Sequence, residues 1–374
     1  MEDPFGHRIS YLRLSITDRC NERCHYCMPE ELQTWLPRAE VLTYEEILRT
    51  VRVGASLGVR KVRVTGGEPL TRRGVLGFIR QLGAIPGIDD IGLSTNGTLL
   101  ADPPPEEKGG TVSMAQRLAE AGVRTVNISL DTLDPDTYAA VTGRDFHHKV
   151  IAGIDASLAA GFQQVKLNCV LMKDRHTGAV AVASDCPNPD DDEDDDDEED
   201  EDDDGNEEDD GDSANSLPAL LDFAHERGCL LRFIELMPVT TREMLSSSNF
   251  LPTATARRII EAATGPLIPV PGFRTNGPAS YYQIPGRDQL IGFIGAMTNL
   301  HFCESCNKLR LTSDGRLRPC LGSHLEFDLR SVLRSGATDD EIRSFFRQVV
   351  DRKPKEHDFR GQWQPGRHMT AIGG

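Results

Sequence analysis

Residues 11–27 read Y-L-R-L-S-I-T-D-R-C-N-E-R-C-H-Y-C. The first seven alternate in polarity, which predicts a β-strand over 11–17. Leu12, Leu14 and Ile16 share one face of it, and Arg13, Ser15 and Thr17 the other. The strand runs into Cys20, Cys24 and Cys27, spaced C-x3-C-x2-C. That spacing supplies three thiolates and no fourth, whereas a closed zinc site or a fully ligated iron–sulfur cluster takes four protein ligands. One metal corner is left for a group that is not protein. The competing reading is a zinc knuckle completed by His25, which lies between two of the cysteines and would have to fold back on its own loop.

The same pattern recurs along the chain. Further strands are predicted over 61–65, 91–95, 124–130, 164–171 and 230–236. Between them, T-Y-E-E from Thr43 has the form of a capping box, with Glu46 three residues after the cap. Other helices are predicted over 73–82, 114–121, 135–141, 148–160 and 218–227. Strand–helix alternation implies an α/β fold with a parallel sheet and crossover helices, and six repeats suit a TIM-like barrel, complete or incomplete. The polar strand residues again fall on one face: Lys61, Arg63 and Thr65, then Asn127, Ser129 and Asp131, then Lys166 and Asn168. Packed barrel interiors are built from Val, Ile and Leu. A lumen lined with Arg, Lys, Ser, Thr and Asn reads instead as a solvated pocket for a polar, anionic ligand.

The formal charge of −18 is local in origin. Residues 185–212 hold 21 of the 59 acidic residues and no Lys or Arg; without them the chain carries about +3. The stretch 174–216 around this run is too polar to bury a core and reads as a disordered loop inserted between strand and helix. Residues 102–112 (D-P-P-P-E-E-K-G-G-T-V) read as a surface loop insertion. The nine cysteines fall mostly into clusters spaced as metal ligands. Cys169 and Cys229 lie beside apolar strands and read as small core residues. No apolar run reaches the ~20 residues of a membrane span, and no secretory or transit segment is evident. A reducing, cytoplasmic setting is expected, or the mitochondrial matrix in a eukaryote.

After residue 236 the rhythm changes. A helix over 253–263 precedes strands over 267–270, 281–284 and 290–294, the last two flanking P-G-R-D-Q as a hairpin. A second trio follows, Cys303, Cys306 and Cys320, spaced C-x2-C-x13-C. Two regions are therefore expected, 5–237 and 238–374. Lys308 and Arg310 share a face if that segment is extended. Taken alone, this trio also fits a zinc site completed by His301 or His324. G-G-E-P at residues 66–69 follows the second strand, at the carboxyl end where barrel sites lie, and its glycines permit close backbone approach. S-T-N-G at 94–97 and S-L-D at 129–131 occupy other strand ends. Neither a P-loop nor a G-x-G-x-x-G fingerprint occurs, so phosphates would be held by scattered basic side chains.

Together these segments resemble the radical S-adenosylmethionine enzymes, and within them the GTP 3′,8-cyclases of molybdenum cofactor biosynthesis. The resemblance rests on L-R-L-S-I-T-D-R-C, K-V-R-V-T-G-G-E-P-L, S-T-N-G, V-N-I-S-L-D, V-K-L-N-C-V-L-M-K, L-R-F-I-E-L-M-P, F-C-x2-C-N-K-L-R-L-T-S-D-G and the final Gly-Gly. It implies an incomplete (β/α)6 barrel closed by a smaller C-terminal iron–sulfur segment. It implies S-adenosylmethionine and two [4Fe-4S] clusters, one on Cys20, Cys24 and Cys27 and the other on Cys303, Cys306 and Cys320. Carried over by motif position, Tyr26, Gly67, Ser129 and Met237 contact S-adenosylmethionine. Arg13, Arg63, Thr95, Lys166, Lys308 and Arg310 contact GTP, Lys308 standing where the family usually has Arg. Arg13, Lys166, Gly373 and Gly374 take part in catalysis, the last two as a tail reaching into the site. The implied reaction joins the 3′ carbon of the ribose to carbon 8 of guanine, giving 3′,8-cyclo-7,8-dihydro-GTP. Implied partners are a flavodoxin or ferredoxin as electron donor, the downstream cyclic pyranopterin monophosphate synthase and a second copy of the chain; nucleic acid and membrane are not expected. The alternative is another radical enzyme with an auxiliary cluster, such as a peptide-modifying maturase, which would need a peptide groove in place of the basic lumen.

Overall fold

Six strands with alternating polarity form the first part of the chain: β1 (Tyr11–Ser15), β2 (Lys61–Thr65), β3 (Asp90–Thr95), β4 (Thr125–Ser129), β5 (Gln164–Leu171) and β6 (Leu230–Glu235). They pair in order, each parallel to the next. The computed structural model describes residues 1–28, 34–176, 217–239, 249–361 and 366–373. Between the strands lie α1 (Tyr44–Ser56), α2 (Val75–Gly83), α3 (Met114–Glu120), α4 (Pro135–Thr142), α5 (His147–Ala159), α6 (Lys173–His176) and α7 (Leu217–Glu226). The capping box expected at Thr43 is present, its hydroxyl accepting from the Glu46 N–H and the Glu46 carboxylate accepting from the Thr43 N–H. The loop expected at 102–112 carries one 3-10 turn, Pro105–Glu107. The expected disordered stretch 174–216 begins inside α6, and residues 177–216 lie outside the described ones.

The strand faces divide as the alternation requires. Leu12, Leu14, Val62, Val64, Leu93, Val126, Ile128, Leu167, Leu231 and Phe233 are all buried in one apolar cluster with the inner faces of the helices. Cys169 and Cys229 belong to that cluster as well. The polar set turns to the lumen.

The rest of the chain builds on the same sheet. It supplies α8 (Thr253–Thr264), β7 (Ile268–Pro269), β8 (Ser280–Gln283), β9 (Leu290–Ile294), β10 (Lys308–Leu311), β11 (Arg316–Arg318), β12 (Phe327–Asp328), α9 (Leu329–Arg334), α10 (Asp339–Asp351) and α11 (Met369–Ile372). β8 and β9 form the expected hairpin, and β9 joins the free edge of β6 in parallel. β10 joins the free edge of β1, also in parallel. The sheet thus runs β12-β11-β10-β1-β2-β3-β4-β5-β6-β9-β8-β7. Buried Glu235, at the end of β6, ties the two parts together by accepting from the N–H groups of Thr253 (2.9 Å), Met297 (2.8 Å) and Thr298 (3.1 Å). Among the described residues no helix is long and apolar enough to cross a membrane.

Candidate active site

Two cavities occupy the lumen. The smaller, about 200 Å³, lies at the carboxyl ends of the strands and is lined by Cys20, Cys24 and Cys27 together with Tyr26, Gly66 and Gly67. Its charged walls are carboxylates: Glu22, Asp131 and Glu235. Burial pushes Glu22 up to about 7, although hydrogen bonds from Tyr138 and Asn96 oppose the shift. Tyr26 donates to Asp131 at 2.7 Å. Burial pushes the Cys20 thiol up to about 12 and lifts Cys24 and Cys27 as well, each aggravated by neighbouring acidic groups. Three half-buried thiols opening on one cavity are a donor set that fits a three-cysteine iron–sulfur cluster. An acidic wall beside them suits a ligand carrying positive charge, such as a sulfonium or an ammonium group.

The glycines of G-G-E-P have a different immediate reason from the one expected. A Cβ on Gly67 would fall 2.7 Å from the Arg19 carbonyl carbon and from the Asp18 carbonyl oxygen. The Gly67 and Glu68 N–H groups donate to the carbonyls of Thr17 and Arg19, both at 2.8 Å. Close approach is thus to the backbone of the cysteine loop, which is locked onto the end of β2. Glu68 is fully buried and accepts from the Asn96 N–H (2.8 Å) and the Thr95 hydroxyl (2.9 Å), fastening the ends of β2 and β3.

The larger cavity, about 250 Å³, is lined by six cations: Arg13, Arg63, Lys166, Arg232, Lys308 and Arg310. No carboxylate is among its lining residues. In the sheet register Arg13 stands beside Arg63 on one side and Arg310 on the other. Like charges on adjacent strands repel, and an anion in the cavity is what relieves them. Burial holds Lys166 at about 7, assisted by Arg232 and Arg63. Burial and then Arg13 hold Arg310 at about 9. Arg63 is already engaged, donating to Tyr11 Oη (2.7 Å), the Leu93 carbonyl (2.9 Å) and Thr125 (3.1 Å). Asn127 Oδ1, on the same wall, is buried without a hydrogen-bond partner among the described residues. Asn276, Gly277 and Pro278 also line the cavity, Asn276 being held there by Lys61 and Asp90.

Cys303, Cys306 and Cys320 line this same cavity. Each sulfur accepts a main-chain N–H bond, from His357, Lys308 and Gly322 respectively. Such donors favour thiolate. Burial nevertheless raises Cys303 and pushes Cys320 up to about 11; at Cys306 burial is outweighed by Lys353 and Lys308, so that thiol alone is lowered. Among the described residues no three His, Cys, Asp or Glu side chains are gathered closely enough to hold a single metal ion. The histidines weighed as zinc ligands stand aside: neither His301 nor His324 lines the cavity, and His301 is exposed and paired with Glu304 at 2.6 Å. His25 does not line the smaller cavity either.

The two cavities abut. Ser94, Ser129, Asn168, Ile234, Met237 and Met369 line both. Met369 comes from α11, whose approach is secured by Arg367 pairing with Asp314 and Glu326, each at 2.9 Å. Gly373 follows with φ +80° and gives its carbonyl to Arg310 Nη1 at 2.7 Å. A Cβ there would overlap Thr65 Oγ1 and lie 3.1 Å from Ser15 Cβ, so only glycine passes between β1 and β2.

The expected site residues divide between these spaces. Arg13, Arg63, Lys166, Lys308 and Arg310 meet around the larger cavity, Tyr26 and Gly67 lie on the smaller, and Ser129 and Met237 stand on the shared wall. Thr95 lines the smaller cavity and not the larger. Gly374 lies outside the described residues. Arg232, Tyr11 and Lys353 went unnoticed in the sequence. Arg232 carried a signal, since it alternates with Leu231 and Phe233 as Lys166 does with Leu167 and Cys169; Lys353, in a stretch without periodicity, carried none.

The chain matches the Radical SAM superfamily over residues 14–177 and Molybdenum Cofactor Synthesis C over residues 229–359. It is 39% identical to a GTP 3′,8-cyclase of Pelotomaculum thermopropionicum, all of both chains being covered. It is equally 39% identical to one of Thermodesulfovibrio yellowstonii, again over the full length of both. Among solved structures it resembles Streptococcus suis SuiB, with a TM-score of 0.55 at 15% identity over 92% of this chain and 68% of that one. It also resembles native anSMEcpe with bound AdoMet, with a TM-score of 0.52 at 16% identity over 93% of this chain and 82% of that one. The two solved structures establish the partial barrel, and the match to the Radical SAM superfamily implies a [4Fe-4S] cluster and S-adenosylmethionine, for which the three-thiol cavity has the fitting donors. On full-length identity to its relatives, the chain belongs to the GTP 3′,8-cyclase family of radical S-adenosylmethionine enzymes.

Proposed function

We propose that this chain converts GTP into 3′,8-cyclo-7,8-dihydro-GTP, the ring-forming first step of molybdenum cofactor biosynthesis. One observation carries the reading: an acidic cavity with three thiols abuts a cationic cavity with three more, across a wall of six shared residues. When bound, the first cluster and S-adenosylmethionine supply a 5′-deoxyadenosyl radical. Cys20, Cys24 and Cys27 hold that cluster, and Tyr26, Gly67, Ser129 and Met237 orient the methionyl end of the cofactor. Cys303, Cys306 and Cys320 hold a second [4Fe-4S] cluster. Arg13, Lys166, Lys308 and Arg310 clamp the triphosphate, with Arg232 as a further cation, and Arg63 braces the row from behind. Lys166 is poised to take up a proton from solvent as the anion binds. Gly373 closes the approach between β1 and β2, and with Gly374 forms the tail that takes part in catalysis. Residues 5–237 act as the radical-generating part and 238–374 as the part presenting the nucleotide.

This reading carries with it a flavodoxin- or ferredoxin-type electron donor, a cyclic pyranopterin monophosphate synthase taking the product, a homodimer, and a cytoplasmic or matrix setting. The test is anaerobic reconstitution, iron and sulfide analysis, and turnover with S-adenosylmethionine and GTP. About eight irons per chain are expected from two four-iron clusters, with GTP-dependent formation of the cyclised nucleotide. Zinc in both trios, or a fully iron-loaded protein that leaves GTP unchanged, overturns it.

A further inference from the structure

Lys353 follows α10 and is only 4% exposed. Its ammonium donates to the Pro319 carbonyl (2.6 Å), the Lys308 carbonyl (3.2 Å) and Cys306 Sγ (3.5 Å). Among the described residues no carboxylate pairs with it; Cys306 is the sulfur it hydrogen-bonds, and its charge also favours thiolate at Cys303 and Cys320. A buried charge costs heavily unless it is paired. The three contacts also span the loop that carries the trio: Cys306 itself, the start of β10, and the residue before Cys320. The neighbouring segment wraps the same loop. His357 N–H reaches Cys303, the Asp358 N–H donates to the Gly322 carbonyl at 2.7 Å, and a Cβ on Gly322 would meet Phe359 Cε1 at 2.8 Å.

We propose that Lys353 is the built-in counter-charge of the second cluster, a positioning residue that stabilises the Cys306 thiolate and raises the cluster's reduction potential. The inference rests on the two-cluster reading above. One-electron reduction adds one negative charge to a cluster that already carries three thiolates. A fixed ammonium against one of those sulfurs favours the reduced form, because charge, hydrogen bonds to sulfur and burial set such potentials. The carbonyls of Lys308 and Pro319 aim the ammonium but leave its charge uncompensated. Reduction in the titration comes from added dithionite, and the protein supplies only the field.

The experiment compares Lys353, Lys353→Met and Lys353→Arg in the full chain carrying Cys24→Ala, so that only the second cluster is read. Each protein is reconstituted anaerobically, assayed for iron and sulfide, and titrated by electron paramagnetic resonance. With Lys353→Met the equilibrium constant for reduction should fall at least tenfold, about 59 mV for one electron. Lys353→Arg should stay within threefold of the parent. If Lys353→Met fails to load its iron while Lys353→Arg loads fully, the counter-charge role is equally supported. Full loading of Lys353→Met with an unchanged potential overturns the proposal. So does loss of the cluster in both variants, which would mark a purely steric requirement for lysine. Absence of iron from the Lys353 parent overturns the two-cluster reading itself, a result separable from either.

Discussion

Binding of GTP at pH 8 should draw a proton from solvent, and Lys166 is the group that takes it up. Its side chain lies in the larger cavity, 2% exposed, and burial, then Arg232 and Arg63, hold it at about 7. At pH 8 only about one in ten of these lysines carries its proton, whereas an ordinary lysine near 10.4 is fully charged. A triphosphate that restores the ordinary value therefore takes up about 0.9 proton at pH 8 and about 0.1 at pH 6. Above pH 7 the association constant should rise about tenfold per unit fall in pH, then level off below it. Protons from the γ-phosphate enter near pH 6, outside the decisive arm. Isothermal titration calorimetry at pH 8, in buffers of different ionisation heat and without S-adenosylmethionine, counts the protons directly. Lys166→Arg, whose guanidinium keeps its charge far more firmly than an ammonium, is the control and should bind with little uptake at pH 8. Uptake below about 0.2 proton in the parent, or equal uptake in Lys166→Arg, refutes the reasoning. The same shift fixes a stability trend in the free protein. Between pH 7 and about 10.4 the unfolded chain holds a proton that the folded one lacks, so this group makes stability rise with pH across that window.

Lys308→Ala and Arg310→Ala should each weaken GTP by roughly 1.5–3 kcal/mol, the value of a charged hydrogen bond, while Lys308→Arg retains or improves binding through its planar fork; guanosine should be insensitive to all three, and equal GTP affinity throughout would remove these residues from the clamp. Gly67→Ala should destabilise the protein by about 1–3 kcal/mol, the usual range for overpacking, read as a lower melting temperature together with poor iron loading on the first trio. Cys24→Ala should abolish cleavage of S-adenosylmethionine, whereas Cys306→Ala should spare some uncoupled cleavage and stop cyclisation; chromatographic assay of 5′-deoxyadenosine and nucleotide products separates the two.

What was legible in the sequence follows from period. Alternation put Arg13, Lys166 and Asn127 in the lumen because helices on the other face leave no second choice, and it named the apolar residues that pack beneath those helices. The spacing of the trios marked the thiols that line the two cavities. What escaped were contacts made across long separations. The Lys353 ammonium reaches Cys306, 47 residues away, only once the last segments fold back. The apposition of two cavities of opposite charge depends on where the sheet curls, which no local pattern states. α10 did carry a readable signal, a capping box of Thr338 and Glu341, but it lies beyond the strand–helix rhythm that guided the reading.

The register Tyr11↔Lys308 has a temporal meaning. A ribosome adds residues at about 5–20 per second, so β1 emerges roughly a quarter of a minute to a minute before the strand that covers its edge. The outer edge of β6 waits a shorter time for β9, roughly 3–12 seconds at the same rate. An unpaired parallel-sheet edge invites pairing with another nascent chain, and closing so long a loop is slow. Cys303 and Cys306 lie on the connection between β9 and β10, the two strands that seal those edges, and Cys320 follows β11. The trio is therefore complete only after both sealing strands have been made, and the order of synthesis becomes the order of assembly.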